Sequence, residues 1–200
     1  MARITATENV TLDGVMQGPG RPGEDTRGGF EHSGWADGFS DEVQMKFMSE
    51  GMSQTGVMLF GRRTYEDLMA VWTATTEPNP FTEHLVNVQK YVVSRSSSTE
   101  LVYPNSTLLA GDAAQTVASL KASVDGDISI IGSGELVRSL HAAGLLDAYV
   151  LCIYPIILGS GTKLFADDSP AADRANVTLE RSVTTSTGVL IGQYLVEARP

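Results

Sequence analysis

The segment Val57-Met58-Leu59-Phe60-Gly61-Arg62-Arg63-Thr64-Tyr65-Glu66 decides the fold. Four apolar residues make a short buried strand, and a glycine ends it. Tyr65, Leu68, Met69 and Trp72 then recur at i, i+3, i+4 and i+7, the spacing of one buried helix face. A strand that runs straight into a helix is the building unit of an α/β protein. The junction also carries chemistry: free helix amides, the positive end of the helix dipole and two guanidiniums meet at one point, a combination suited to a phosphate. The chain has a formal net charge of -10. Its overall field repels anions, so only a local basic cluster holds one.

The same alternation extends in both directions. Thr5 to Leu12 is an expected strand that ends at the turn pair Asp13-Gly14. Residues 17–40 are rich in glycine, proline and charge and form an insertion-like loop in which Phe30, His32 and Trp35 are embedded. Ser40 or Asp41 caps an expected helix that runs to about Ser53. Glu77-Pro78-Asn79-Pro80 breaks the helix that opens at Arg62. Strands are expected over Lys90–Val93, Thr107–Ala110, Ile128–Ile131 and Ala148–Ile157, with helices after Asp112 and after Gly132-Ser133-Gly134. Val177–Val183 and Val189–Val196 alternate around Thr184–Gly188 and read as a terminal hairpin. The expectation is therefore one domain over residues 1–200, with a mixed, mostly parallel sheet and an antiparallel C-terminal hairpin.

Composition narrows the class. The acidic balance argues against nucleic acid and anionic membrane surfaces as partners. The one cysteine, Cys152, allows no internal disulfide, which suits a reducing cytoplasm. No signal peptide is visible ahead of the first strand. The longest apolar run, Ala148 to Leu158, contains Pro155 and is far too short to span a membrane.

Three strand ends share one design. Phe60 releases Gly61-Arg62-Arg63-Thr64, Val93 releases Ser94-Arg95-Ser96, and Ile131 releases Gly132-Ser133-Gly134. In open α/β sheets ligands sit beyond the carboxyl ends of strands. Two of these junctions open helices, and the third sets a guanidinium between hydroxyls. Together they suit a ligand with several phosphates, such as a dinucleotide with a 2′-phosphate. The Rossmann pattern does not fit, because the third glycine of G-x-G-x-x-G falls at Val137 and no acidic residue follows about 20 residues on.

The chain resembles the dihydrofolate reductase-like superfamily, in the branch similar to the C-terminal reductase domain of the bifunctional riboflavin-biosynthesis deaminase–reductase. Five pieces carry the likeness: Thr11-Leu12-Asp13-Gly14, Leu59 to Glu66, Lys90 to Arg95, Ile130 to Leu136, and Gly144-Leu145-Leu146-Asp147 through Pro155 to Phe165. The resemblance implies a three-layer αβα fold and a stand-alone reductase, since no zinc deaminase motif is present. It also implies NADPH as cofactor, with Gly61, Arg62, Arg63, Thr64, Ser94, Arg95 and Ser96 on the 2′-phosphate and pyrophosphate. Gly132, Ser133, Gly134, Glu135 and Leu136 would lay a helix N-terminus against the pyrophosphate. The nearest activity is 5-amino-6-(5-phosphoribosylamino)uracil reduction, a hydride transfer to a small cyclic or imine-type substrate. A homodimer is the implied assembly. True dihydrofolate reductases carry a pterin-binding acid on the helix before the second strand. Here only Asp41 and Glu42, at the start of that helix, are available.

On the substrate side the expected residues are Asp13, Trp35, Gly159 and Thr162. Asp13 could bond an amine or a sugar hydroxyl, or simply make a turn. Trp35, with Phe30 and His32, could close over a planar ring. Gly159 and Thr162 could bring backbone close to a substrate. No metal site is expected. No catalytic acid is assigned, because water can supply the proton while the cofactor carries the hard step. Two further readings are a nucleotide-binding protein without turnover and a dihydrofolate reductase proper.

Overall fold

The computed structural model describes residues 2–53, 55–75, 80–165 and 174–197. The strands are β1 (Ile4–Thr11), β2 (Thr55–Gly61), β3 (Gln89–Ser94), β4 (Ser106–Ala110), β5 (Asp127–Ile131), β6 (Ala148–Tyr154), β7 (Val177–Thr184) and β8 (Leu190–Val196). The helices are α1 (Glu42–Ser53), α2 (Arg62–Thr73), α3 (Pro80–Asn87), α4 (Ala113–Ser123) and α5 (Gly134–Ala142). One mixed sheet has the order β4-β3-β2-β5-β1-β6-β8-β7. Strands β4, β3, β2 and β5 are parallel neighbours, and β6, β8 and β7 are antiparallel, as the sequence predicts. The chain forms two compact units. Unit 1 is the chain up to Ala6 with Ser49–Asp147, and unit 2 is Thr7–Met48 with the chain from Ala148 onward. Strand β1 runs through both.

Unit 1 is wound in two directions. The passage from β2 to β3 moves one way along the sheet, and the passage from β4 to β5 moves back. Right-handed crossovers then put α2 and α3 on one face and α4 on the other. Side chains follow the pleat. Met58 and Phe60 of β2 pack with Tyr65 and Met69 of α2, Leu85 of α3 and Val92 of β3. Leu59, between them, points to the other face and is fully buried. Periodicity thus gives α2 correctly, with Leu68 and Trp72 closing the edge of its buried stripe. Helix α3 was not expected. Its opening residue, Pro80, suits a first helical position, where no N–H is needed. The expected break at Glu77-Pro78-Asn79 lies outside the described residues. Lys90 is fully buried, and its ammonium donates to the carbonyls of Leu85 (2.7 Å) and Val88 (2.8 Å) at the end of α3. It acts as a cationic C-terminal cap.

Unit 2 has its core on one face of β6 and β8. Cys152, Val150, Tyr154, Val189 and Ile191 pack there with Phe47 of α1 and with Val15, Phe30 and Trp35 from the long loop. Asp41 caps α1 by accepting from Gln44 N at 2.9 Å, and its other oxygen accepts from Ser186 N and Oγ, both at 2.7 Å. Strand β6 ends at Tyr154, three residues before the expected end at Ile157. Pro155 cannot donate to the ladder, and Ile156 N turns back to Tyr154 O at 2.8 Å. The 17–40 segment is packed rather than draped. Gln17 is its hub, accepting at its carbonyl from Trp35 Nε1 (2.7 Å) and donating its amide to Arg27 O (2.9 Å). Gly161 is forced: its φ is +116°, and a Cβ there would lie 2.7 Å from both Phe30 and Val15.

Candidate functional site

The register brings the three sequence-predicted junctions of unit 1 side by side. Gly61 at the end of β2 is opposite Val93, so Ser94 stands one step beyond it on β3. Leu59 is opposite Ile130, so Gly61 and Gly132 leave the sheet level with one another. Adjacent strands are about 4.8 Å apart. Ser94–Ser96, Gly61–Thr64 and Gly132–Leu136 therefore line one carboxyl edge over three neighbouring parallel strands. Winding reverses between β2 and β5, and such a switch point is where open α/β sheets hold ligands.

Two of the junctions are bonded together. Gly61 N donates to Ser133 Oγ at 2.9 Å. Ser133 is the N-cap of α5 in the left-handed conformation (φ 69°), and its hydroxyl makes no bond back to the helix. The opening turn of α5 is thus left without a side-chain cap, as an anion-binding turn requires. Gly132 is also left-handed (φ +63°), and a Cβ there would sit 3.4 Å from the methyl of Thr64. The small residue lets the two turns approach. Leu136 faces the core, so only its backbone is available to a ligand.

The charged groups lie at the surface of this edge. Arg62 meets both oxygens of Glu66, at 3.0 and 2.8 Å. Arg63 reaches from α2 to Glu135 on α5 at 3.2 Å. These pairs are well exposed, 43% and 49% in the first and 59% and 64% in the second. Exposed pairs of this kind are worth about 0–1 kcal/mol, so a phosphate that accepts bidentate bonds displaces the carboxylates readily. Arg95 is exposed and carries no hydrogen bond or ion pair among the described residues. The hydroxyls around it bond one another, Ser94 Oγ with Thr99 Oγ1 at 2.7 Å and Ser96 Oγ with Ser98 Oγ at 2.8 Å. The Ser94–Ser96 segment is therefore a self-stabilised turn that presents Arg95.

The four substrate-side residues lie in unit 2, and three of them are engaged. Asp13 accepts from Thr11 Oγ1 (2.6 Å), Leu158 N (3.2 Å) and Gly159 N (2.8 Å). The Thr11 hydroxyl first, and then the two amides, hold its carboxyl below the usual aspartate range against the effect of partial burial. Thr162 donates both N–H and hydroxyl to Gln17 Oε1, at 2.9 and 3.0 Å. Trp35 differs from the expectation of an open stacking face. It is 7% exposed, its indole N–H is spent on Gln17, and its ring meets Tyr154 edge-on at 5.2 Å. Phe30 is buried as well, while His32 is exposed. Gly159 alone faces open space. Asp41 and Glu42 do not form an acidic ring-binding pair, because Asp41 is committed to its cap and Glu42 is exposed. Gln17 organises this region, yet no sequence signal marks it, since a glutamine in a polar loop belongs to no motif.

A wound, mixed sheet with anion-suited turns along one carboxyl edge defines a nucleotide-site α/β protein, and solved structures specify the fold. A candidate riboflavin biosynthesis protein from Shewanella sp. PV-4 superposes with a TM-score of 0.71 at 20% identity, covering 99% of this chain and 100% of that one. Dihydrofolate reductase from Enterococcus faecalis, in complex with NADP(H), superposes with a TM-score of 0.60 at 12% identity, covering 98% and 97%. The fold is dihydrofolate reductase-like. The model of the RibD C-terminal domain family matches residues 2–191, and the chain belongs to that family. The uncharacterized YyaP protein of Bacillus subtilis is 28% identical over 196 residues, covering 94% of this chain and 92% of the relative. Among the described residues, no helix is long and apolar enough to cross a membrane.

Proposed function

We propose that the protein is an NADPH-dependent reductase that resembles 5-amino-6-(5-phosphoribosylamino)uracil reductase and delivers hydride to a small cyclic or imine-type substrate. One observation carries the reading: three phosphate-suited turns stand level at the carboxyl edge of β3, β2 and β5, two of them tied by the Gly61–Ser133 bond. Arg62, Arg63 and Arg95 suit the 2′-phosphate and pyrophosphate, and the first turn of α5 suits the pyrophosphate. NADPH supplies the hydride when bound. The chain's part is to orient the cofactor through these contacts and keep water from the reacting atoms.

Titration calorimetry tests the site. Arg62→Ala combined with Arg95→Ala is expected to weaken NADPH binding at least tenfold, and NADH should bind far more weakly than NADPH. Unchanged affinity in the variant, or equal affinity for the two cofactors, would overturn the assignment.

A second reading, an NADP(H)-binding protein without turnover, is favoured by one fact. Asp13 and Asp41, the carboxylates considered for the substrate side, are both committed to structural bonds. Loss of 340-nm absorbance with any of a panel of aminopyrimidines, imines and dihydrofolate eliminates it. A cytoplasmic homodimer is part of the first proposal. The lone thiol of Cys152 and the exposed apolar residues of the terminal hairpin support it.

A further inference from the structure

Gln44 lies in the first turn of α1 and is half-buried. Its Nε2 donates to the Tyr154 hydroxyl at 2.9 Å, and that hydroxyl donates to Asn9 Oδ1 at 3.3 Å. A phenol has one proton to give. Because Tyr154 gives it to Asn9, it must receive from Gln44, so Gln44 turns its nitrogen to Tyr154 and leaves its oxygen over. That oxygen, Oε1, is buried and has no hydrogen-bond partner among the described residues. Tyr154 cannot swing to relieve it. The ring is 3% exposed and is held edge-on by Trp35 at 5.2 Å and Phe39 at 5.6 Å. Turning the Gln44 amide over would face two acceptors with a single hydroxyl proton.

Buried amide oxygens in native proteins are almost always paired, and each exception calls for a donor. The same helical turn keeps Val43 and Met45 in solvent, at 41% and 58% exposure. A fixed acceptor flanked by large apolar side chains is the composition of a small-molecule site.

We propose that Gln44 is a specificity-determining residue whose Oε1 accepts an N–H of the molecule to be reduced. The substrate is then a neutral heterocycle with a lactam or ring N–H, set against the apolar flank of α1. A carboxamide oxygen reads such a donor without demanding a positive charge on it. Tyr154 and Asn9 are positioning residues that hold the Gln44 amide in one orientation. The proposal rests on the reductase reading above.

Two flat probes test it: quinazolin-4(3H)-one, which carries the lactam N–H, and its 3-methyl derivative, which does not. Binding to the NADPH-saturated protein is followed by ligand-observed NMR. The wild type is expected to hold the N–H probe at least tenfold more tightly. Gln44→Met, close in shape but without the acceptor, is expected to bring the ratio to about one. Gln44→Glu keeps an acceptor and should retain the preference, which covers the case in which the methionine variant does not fold. Tyr154→Phe should reduce the ratio while circular dichroism stays unchanged. Equal binding of the two probes, no binding of either, or a preference that survives Gln44→Met would overturn the proposal. Failure of the wild type to bind NADPH in a separate titration counts against the reductase reading instead.

Discussion

Asp13 holds the segment after β6 to the end of β1 through bonds from Leu158 and Gly159. Its carboxyl is depressed by those donors and by Thr11. A depressed carboxylate contributes stability that is complete above the unfolded aspartate pKa of about 3.9 and is lost as pH falls through the lower folded value. Below about pH 4 the Leu158 and Gly159 amides should therefore exchange faster. Asp13→Ala should show the same fast exchange at neutral pH, and unchanged protection would dismiss the tie. The turn role of Asp13-Gly14 was legible, because an aspartate before a left-handed glycine has a local mechanism. The roles of Gln17 and Gln44 were not legible. Their partners lie 145 residues away at Thr162 and 110 away at Tyr154, and no local pattern records such distances.

Among the elements, the β5–α5 turn shows how a junction is built. Ser133 sits in a left-handed conformation that costs a non-glycine residue about 1 kcal/mol, and its hydroxyl takes the Gly61 amide. Ser133→Ala keeps the strain and loses the bond, so urea unfolding should show a loss of about 1 kcal/mol or more. Ser133→Gly loses the bond but relieves the strain, and should fall near the wild type. If the two variants lose equal stability, the strain argument fails. Helices α2, α4 and α5 were readable from their 3.6-residue stripes and glycine or aspartate starts. Helix α3 was hidden, because its eight residues bury only Leu85 fully and follow a proline pair. The end of β6 was misjudged for a related reason. Ile156, Ile157 and Leu158 continue the apolar run, and Pro155 ends the ladder without changing that composition.

For the molecule as a whole, the terminal hairpin bears on assembly. Val177 pairs with Val196, Leu179 with Tyr194 and Thr184 with Leu190, so their side chains share one face. Val177, Leu179 and Leu190 are 46%, 53% and 49% exposed. A register shift between Leu179 and Arg181 interrupts β7, and such bulges protect an edge from pairing. The apolar face, rather than the edge, is then the surface for a second copy. Sedimentation equilibrium should find a dimer at micromolar concentration, and Leu179→Lys should shift it to monomer. A wild-type monomer would dismiss the homodimer. Fold class was legible at this scale because every strand–helix junction agreed with the next. The division into two units was not, since β1 and α1 each cross the boundary without any break in composition.

The single cysteine gives unit 2 an internal clock. Cys152 is fully enclosed, and burial pushes its thiol up to about 12. In the closed state it is neither accessible nor ionised, so native alkylation by iodoacetamide has to wait for an opening event. With one thiol in the chain, each adduct counts one such event in that unit. At reagent concentrations where chemistry is slower than reclosing, the labelling rate gives the free energy of opening β6 without any denaturant.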